Sequence, residues 1–422
     1  MAHPTDTGAR PQSAPRPLEG VVVLDVTLAL SGPYATLLLA GLGARVIKVE
    51  NPRGGDAARE NSPYCGRDGV ALSRKHPDDM SLAAMSRMRN KESVTIDLKS
   101  AEGKGLLLGL AEKADILVQN FSAGTMEKLG LHYDAVRAVN PALVYCSISG
   151  FGSDAPSSAK AMDSIIQAMS GAMLTSGTPE DDPVRVGFPI ADLAAPLFGV
   201  IGVLAALHQA RRTGVGQHLD VSMLGALTSL VSVEPWAAME HLGIPLRTGA
   251  SMPRLAPFGN YRTKDGHVVI CAPLDAFARG LFAAMGQADL VEDPRFATRD
   301  ARVENSTALD AAIEEWTSGL TTAEAVAELH TFGVPAGDVR EPQTAVADAA
   351  AVRRGDTTRL DHPAYPQEIA LHGPGIPISF SGATIGLDRT PPALGEHTDS
   401  VLTELLGLDA GRLRELREAG AV

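Results

Sequence analysis

The chain has 422 residues and 45% of them are hydrophobic, which is enough for two or three domains with large cores. Its net charge of −13 argues against general nucleic-acid binding, which needs a basic surface, but leaves room for a local basic pocket that binds a phosphorylated ligand. Cys65, Cys146 and Cys271 show neither Cys-x-x-Cys nor metal-site spacing. We therefore predict free thiols in a reducing compartment and no metal.

The ends and the apolar segments bear on where the protein resides. Residues 1–18 are rich in proline, serine and threonine and lack the apolar core of a signal peptide, so we expect a disordered arm. The most apolar later segment, Leu193 to Leu207, covers about fifteen residues and is broken by Pro196, which is short for a membrane span. The sequence predicts a soluble cytoplasmic protein.

Strand and helix patterns alternate through the first half of the chain, as in the βαβ units of a doubly wound parallel sheet. Strands are predicted at 20–26, 45–50, 93–98, 115–121, 142–152 and 218–224, and helices at 34–44, 103–114, 162–174 and 192–212. The fold class we predict for this part is a large α/β domain with a parallel sheet.

The pattern changes after about residue 226. A hairpin is predicted at 259–272 with Asp265-Gly266 as its turn, followed by short helices and a strand at 334–339. The tail at 396–422 has a helical pattern, and Thr398 is the expected N-cap. We infer a smaller α+β domain inserted in the large one, to which the chain returns at its C-terminus.

The first βαβ unit invites a dinucleotide-binding interpretation. The Gly-x-Gly-x-x-Gly fingerprint is absent, because the turn reads Leu30-Ser31-Gly32-Pro33-Tyr34. Without those glycines the backbone does not approach a pyrophosphate closely. We therefore favour a first βαβ unit of a doubly wound sheet that does not bind a dinucleotide. An NAD-binding or non-enzymatic protein of this fold is kept as an alternative.

Asp192 is the single carboxylate in the apolar stretch VGFPIADLAAPLFG, at the start of a long helical pattern. One interpretation is a helix cap, with Pro196 in the first turn. The other is a nucleophile that the positive helix end keeps ionised and that an apolar cleft leaves poorly hydrated. The residues alone leave both open.

Several cations flank the predicted strands. Each of them could simply be a solvent-exposed charge at the end of a strand or helix, without a role in binding. Ligands of doubly wound sheets bind at the carboxyl ends of the strands, where such cations would meet phosphates. Spacing alone favours the solvated interpretation. The cations are Arg87, Arg89, Lys91, Lys99, Lys128 and Lys160.

Ordered blocks from residue 18 to 422 resemble a known family. They include LDVTLALSGPYAT, VIKVENPRGGD, RNKESVTIDLK, NFSAGTMEKLGL, PIADL, RTGVGQHLDVSM and GEHTDSVLTELLGL. The chain resembles family III CoA-transferases, the group of formyl-CoA:oxalate and carnitine CoA-transferases. The resemblance implies a Rossmann-like large domain at 19–225 and 340–422 and a small domain at 226–339. It also implies a ring-shaped chain in an interlocked homodimer.

The resemblance implies covalent chemistry at Asp192, which matches the family's nucleophilic aspartate. Its carboxylate would attack an acyl-CoA thioester, and CoA would pass to a second carboxylic acid through aspartyl anhydride and aspartyl-CoA thioester intermediates. The substrates that the resemblance implies are coenzyme A, its acyl thioesters and small carboxylic acids. The CoA contacts carried over are Leu30, Ser31, Arg53, Ile96, Asp97, Leu98, Lys99, Asn120, Phe121, Ser122, Lys128, Lys160, Ala161, Met162 and Asp163.

Some positions depart from the family pattern. The region near RTGASMPRLAPFGN lacks the glycine run of formyl-CoA transferase, which puts oxalate specificity in doubt. Related α-methylacyl-CoA racemases have an aspartate at the position of Asp163, but Met162 replaces the histidine before it. The PIADL block favours transfer over racemisation, and a racemase remains the alternative. Arg59, Arg254 and Arg262 are candidates for binding a substrate carboxylate, with surface roles favoured for each.

Overall fold

The computed structural model describes residues 14–156, 158–252 and 254–422 of a mixed α/β protein. Residues 1–13 of the predicted arm lie outside the described residues. Further along the arm, Arg16 forms an ion pair with Asp388 at 2.6 Å. Leu18 is buried, and its N–H donates to the carbonyl of Leu42. These last residues of the predicted arm therefore pack against the folded chain.

The strands are short and number as follows in chain order. They are β1 Val22–Val26, β2 Arg45–Glu50, β3 Tyr64–Gly66, β4 Gly69–Ala71, β5 Met80–Ser81, β6 Lys91–Thr95, β7 Ile116–Gln119, β8 Val144–Ser149, β9 His218–Ser222, β10 Phe258–Arg262, β11 His267–Cys271, β12 Ala336–Asp338, β13 Thr357–Arg359 and β14 His372–Pro374.

The helices include one that is much longer than the others, α7. They are α1 Ser31–Gly41, α2 Leu82–Arg87, α3 Ala101–Ala111, α4 Thr125–Leu129, α5 Tyr133–Val139, α6 Asp163–Met169, α7 Ile190–Thr213, α8 Met223–Val231, α9 Trp236–His241, α10 Asp275–Ala284, α11 Arg299–Glu304, α12 Ser306–Thr317, α13 Thr322–Thr331, α14 Pro342–Val346, α15 Ala349–Arg354, α16 Thr398–Leu406 and α17 Ala410–Glu418.

The described chain divides into two compact units. Unit 1 comprises the residues up to Ser170 together with Val186–Leu230 and Val346–Val422, and unit 2 comprises Gly171–Arg185 and Val231–Ala345. The predicted domain division at 225/226 and 339/340 stays a prediction. Unit 2 additionally contains the segment 171–185, which sequence patterns had given to the large domain.

Unit 1 is built around a six-stranded sheet in the order β6-β2-β1-β7-β8-β9, and every pair in it is parallel. Val23 of β1 lies between Val46 of β2 and Ile116 of β7. If these six strands are renumbered in chain order, their order in the sheet is 3-2-1-4-5-6, which is the order of doubly wound dinucleotide-binding sheets. The order reverses between β1 and β7, so a crevice is expected outside the carboxyl ends of these two strands.

Helix α7 packs against α1 and against β8 and β9. Gly199 faces the sheet, where a Cβ would lie 3.3 Å from Ile148. Burial of side chains such as Val203 and Leu207 stabilises this packing by about 1.5–3 kcal/mol each. By length and composition α7 could also span a membrane, yet half of its apolar window is buried in the structure, as is usual for a core helix of a soluble protein.

Unit 2 holds the antiparallel sheet β10-β11-β12 and the helices α9 to α13. The predicted hairpin is present, with Phe258 opposite Cys271 and Arg262 opposite His267. The turn-rich residues between the two strands close it, as the Asp-Gly pair indicated. Its core contains Ile270, Phe282 and Leu309.

Two local predictions were wrong, and the prediction of a helical tail is confirmed with an interruption. Pro196 lies inside α7 instead of in its first turn, because the helix begins at Ile190. The N-cap of α16 is His397, and Thr398 instead accepts a hydrogen bond from the backbone N–H of Thr95 at 3.0 Å. The helical tail is two helices, because Gly407 adopts a left-handed conformation between them.

Candidate functional site

A cavity of about 310 Å³ opens at the carboxyl ends of β1, β7 and β8. This is the crevice that the reversal of strand order predicts, and its volume is at the lower end of ordinary ligand pockets. The whole lining belongs to unit 1. It consists of residues 29–31 after β1, 120–123 after β7, 148–152 around the end of β8, Ala155, Pro156, Ala159, 161–164, Asp192 and Met223.

Asp192 is in the first turn of α7 and is, with Asp163, one of the two carboxylates that line the cavity. Among the described residues, no group donates a hydrogen bond to its carboxylate. Burial raises the pKa of Asp192 to about 6, the charge of Asp163 adds to the rise and Arg87 opposes it. We had expected the positive end of the helix to keep the pKa of Asp192 low, and it does not. The carboxyl group is nevertheless ionised at neutral pH. A poorly solvated, unpaired carboxylate of this kind is a competent nucleophile.

Asp163 caps the helix that carries Asp192. Its Oδ1 accepts the backbone N–H groups of Ala191 at 2.9 Å and Asp192 at 3.3 Å, while Oδ2 accepts from Gln167 at 2.7 Å. The N-cap residue itself, Pro189, has no side-chain acceptor. The capping role that sequence considered for Asp192 therefore belongs to Asp163, and the Asp192 carboxylate remains available for chemistry.

The turn after β1 forms one wall and is tightly held. Ala29 has a left-handed backbone, with φ of 65°, and its N–H donates to Asp56 Oδ1 at 2.9 Å. Asn120 bridges β7 to this turn by accepting from the N–H of Leu28 at 2.7 Å and donating to its carbonyl at 2.9 Å. Non-glycine residues in this conformation cost energy and persist only where their surroundings fix them.

A buried ionic network lies beneath that turn. Lys91 pairs with Asp25 at 2.8 Å, and Lys48 pairs with Asp25 at 3.4 Å and Asp56 at 2.9 Å. Lys48 also donates to the carbonyl of Thr27. Burial alone would raise the pKa of Asp25, but the two lysines hold it well below its usual range. Two cations and two anions thus compensate one another and tie β1, β2 and β6 to the cavity wall.

Ser31 contributes an unpartnered hydroxyl to this wall. Its side chain is 4% exposed, and its Oγ has no hydrogen-bond partner among the residues that the structure describes. A buried hydroxyl without a partner is costly, and a polar ligand group in the cavity would satisfy it. The neighbouring Gly32 is required, since a Cβ there would come within 2.4 Å of Thr27.

The opposite wall depends on a close approach of two loops. A Cβ on Gly150 would lie 2.0 Å from that of Ala161, so only glycine allows the segment 161–163 to reach its position. Gly152 has a left-handed φ of 92°, and its N–H donates to Ser149 Oγ at 3.0 Å. That N–H is consequently engaged and does not stabilise an oxyanion in this conformation.

The structure brings many of the predicted residues to this cavity. Those that line it are Asp192, Leu30, Ser31, Asn120, Phe121, Ser122, Ala161, Met162 and Asp163.

The remaining predicted residues do not line the cavity. Ile96 is 1% exposed and lies in the hydrophobic core, which Leu98 also contacts. Asp97 pairs with Arg53 at 2.8 Å, and Lys99 is exposed beside them. These residues follow β6 and β2, at the same edge of the sheet as the cavity. Exposed cations also lie on α4 and just before α6, at Lys128 and Lys160.

Sequence analysis missed some lining residues and one charge. Ala29 and the residues of the loop after β8 were not proposed, although the strand-end rule could have indicated them. Arg87 was left as a solvated strand-end cation. It is half-buried, and its guanidinium donates to the carbonyl of Ala29 at 2.7 Å, which no sequence pattern signals.

Comparison with known proteins identifies the class. Residues 18–398 match the sequence model of CoA-transferase family III. The chain is 37% identical over 412 residues to the succinyl-CoA–D-citramalate CoA-transferase of Chloroflexus aurantiacus, covering 96% of this chain and 98% of that protein. It is 38% identical to the acetyl-CoA:oxalate CoA-transferase of Acetobacter aceti, with 89% and 91% covered. A CaiB/BaiF family protein from Brucella suis has a crystal structure that matches with a TM-score of 0.78 and 33% identity, over 93% of this chain and 100% of that one.

The chain belongs to CoA-transferase family III and is a CoA-transferase. The predicted family, and the transfer of CoA as its activity, are confirmed. CoA-transferases use coenzyme A thioesters as substrates, so a site for such a thioester is expected in this chain.

Proposed function

We propose that the protein moves CoA between carboxylic acids by covalent catalysis at Asp192. The observation that carries the proposal is the position of this carboxylate, which lines the cavity without a hydrogen-bond donor among the described residues. Its raised pKa reflects poor solvation, which strengthens a carboxylate as a nucleophile.

The reaction proceeds in four balanced exchanges. An Asp192 oxygen attacks the thioester carbon, the C–S bond breaks, and an aspartyl–acyl anhydride and a CoA thiolate result. The thiolate attacks the aspartyl carbonyl of the anhydride and releases the first acid as its carboxylate. The incoming carboxylate attacks the aspartyl-CoA thioester and forms a second anhydride with release of thiolate. Attack of the thiolate on the new acyl carbon yields acyl-CoA and regenerates Asp192.

The proposed sequence requires that water be excluded, because both anhydrides would otherwise hydrolyse. The lining around Asp192 includes the apolar groups of Ile148, Ala161 and Met223. The cavity of about 310 Å³ is at the lower end of ordinary ligand pockets, so we assign it to the acyl group and the pantetheine arm and not to the nucleotide. We place the nucleotide of CoA along the sheet edge. There Arg53 and Lys99 follow β2 and β6, and Lys128 and Lys160 are exposed.

The assembly we propose is an interlocked homodimer of ring-shaped chains in the cytoplasm. Exposed apolar side chains on α7 support a partner, namely Leu197 at 50%, Phe198 at 39% and Ile201 at 64%. Met169 on α6 is also exposed, at 58%. Contiguous apolar surface of this kind marks an interface in a soluble protein.

Mass spectrometry of the trapped enzyme tests the chemistry. After incubation with acyl-CoA and rapid quenching, CoA should be attached to the peptide that contains Asp192. Asp192→Asn should give no adduct and no transfer, while Asp134→Asn, which alters an exposed carboxylate on α5, should behave as wild type. Exchange of the α-proton of a 2-methylacyl-CoA with deuterium, without an adduct or transfer, would contradict the proposal and indicate a racemase.

A further inference from the structure

Gln167 is completely buried on α6, one turn after Asp163 and on the same face of that helix. Its Nε2 donates to Asp163 Oδ2 at 2.7 Å, and its Oε1 accepts the backbone N–H of Val186 at 2.8 Å. An ionised carboxylate only accepts and a backbone N–H only donates, so these two partners fix the orientation of the amide. Only an amide or a protonated acid of this length offers one donor and one acceptor to them.

The hydrogen bond to Val186 secures the segment that leads into α7. The chain leaves unit 1 after Ser170 and returns to it at Val186. Helix α7 begins shortly afterwards at Ile190, with Asp192 in its first turn. Gln167 therefore holds the chain at the point where it re-enters unit 1, directly ahead of the proposed nucleophile.

The hydrogen bond to Asp163 orients the acid that caps α7. Oδ1 of Asp163 accepts the N–H groups of Ala191 at 2.9 Å and Asp192 at 3.3 Å, while the N-cap residue Pro189 has no side-chain acceptor. Among the described residues, Gln167 is the only side chain that donates to Asp163. Without this donor the carboxylate would be free to turn about its side-chain torsions, and Oδ1 would no longer be held toward α7.

We propose that Gln167 is a positioning residue for CoA transfer, which places the Asp192 carboxylate in the cavity by holding Asp163 on one side and Val186 on the other. The inference rests on the proposed function of Asp192 as the nucleophile. Gln167 is not among the described residues that line the cavity, so it acts through these two neighbours. Displacing a reacting group by about 1 Å can lower a rate by about 100-fold, which makes this double hold important for catalysis.

Gln167→Met tests the two hydrogen bonds together, because it keeps the length of the side chain and removes both. It should lower kcat for transfer at least about 10-fold. Its KM for acyl-CoA should stay within about 3-fold of wild type, because the amide touches no substrate.

Gln167→Glu makes the same role depend on pH. A protonated glutamic acid donates to Asp163 and accepts from Val186 as the amide does, whereas an ionised one repels Asp163. Burial and the charge of Asp163 raise the pKa of such an acid above its usual value. Asp163 and Asp192 are the titratable residues of α6 and of the opening turns of α7, and residues 186–189 contain none. The kcat of this variant relative to wild type should therefore stay within about 3-fold at pH 6 and fall at least about 10-fold by pH 9.

The matched control Gln343→Glu adds the same charge at an exposed glutamine on α14 and should equal wild type at both pH values. A ratio for Gln167→Glu that is the same at pH 6 and pH 9 would overturn the inference, whether or not Gln167→Met folds. So would wild-type kcat in Gln167→Met, a loss confined to KM, or a fall at pH 9 that only follows loss of the fold by circular dichroism. Failure of the proposed function looks different, because wild type itself would then carry no CoA on Asp192 after incubation with acyl-CoA.

Discussion

The carboxylate of Asp163 accepts the backbone N–H of Asp192 at 3.3 Å, so one acid fixes the position of the other. The same proximity places two negative charges together, and the charge of Asp163 helps to raise the pKa of Asp192. Asp163 therefore has two separable effects on Asp192, the proposed nucleophile, one through geometry and one through charge.

Two substitutions at Asp163 separate these effects. Asp163→Asn keeps an acceptor for the helix end, whereas Asp163→Ala removes it and should lower the free energy of unfolding by about 1 kcal/mol. Both remove a charge that opposes ionisation of Asp192. The acid limb of the pH profile of kcat/KM should therefore move to lower pH, by up to about one pH unit. A limb that stays in place in both variants would contradict the assigned coupling.

Asp192 should make the protein less stable as pH rises. Its folded pKa is about 6, above the ordinary value of 3.8. Between these values the folded chain keeps a proton that the unfolded chain has lost, so stability falls as pH increases through this interval. Asp192→Asn cannot ionise, so its advantage in free energy of unfolding should grow by on the order of 1–2 kcal/mol from pH 4 to pH 7. Denaturant titrations between pH 4 and pH 7 measure this difference in free energy of unfolding. Asp134→Asn is the control, and its difference from wild type should not grow with pH.

Gly150→Ala should damage the cavity wall. The new Cβ would meet Ala161 at 2.0 Å and displace the segment that carries Met162 and Asp163. We expect a loss of about 1–3 kcal/mol in stability. A displacement of this kind should also reduce kcat/KM for acyl-CoA about 10-fold or more. Gly105→Ala is the matched control, because a Cβ there meets nothing within 4 Å in helix α3, and it should stabilise the chain slightly.

Lys48→Met should destabilise unit 1 strongly. The substitution leaves Asp56 without its cation and removes one of the two that compensate Asp25. Breaking a buried ion pair from one side costs about 3–5 kcal/mol. Lys113→Met removes an exposed lysine and should change stability by less than about 0.5 kcal/mol. Thermal unfolding of the two variants, measured side by side, compares their losses of stability. A similar small effect in both would show that the ionic network is not needed for folding.

Much of the sheet was predictable because its strands are short apolar runs between clear turns. Strand β2 was predicted at 45–50 and is observed at Arg45–Glu50. The small sheet of β3, β4 and β5 was not predicted, since Tyr64–Gly66 and its partners are too short and polar to show a period. The boundaries of α7 were also misjudged, because Pro196 is tolerated inside a helix whose other contacts are favourable.

The candidate site divides in a similar way. Ser31 and Asn120 came from the resemblance to the family, and their positions next to strand ends agree with the rule that ligands bind at those ends. Arg87 and Asp56 could not be found this way, because their importance arises from a hydrogen bond to Ala29 that only the folded chain creates. The core position of Ile96 shows the converse, since a match to a family block says nothing about which way a side chain points.

Pro196 has a consequence for motion at the site. Lacking an N–H, it offers no hydrogen bond to the carbonyl four residues earlier, which is that of Asp192. The opening turn of α7 is thus coupled less firmly to the rest of its own helix, while Asp163 anchors it to α6. A tilt of α6 is therefore expected to displace the carboxylate of Asp192 more than the later turns of α7, which pack on the sheet.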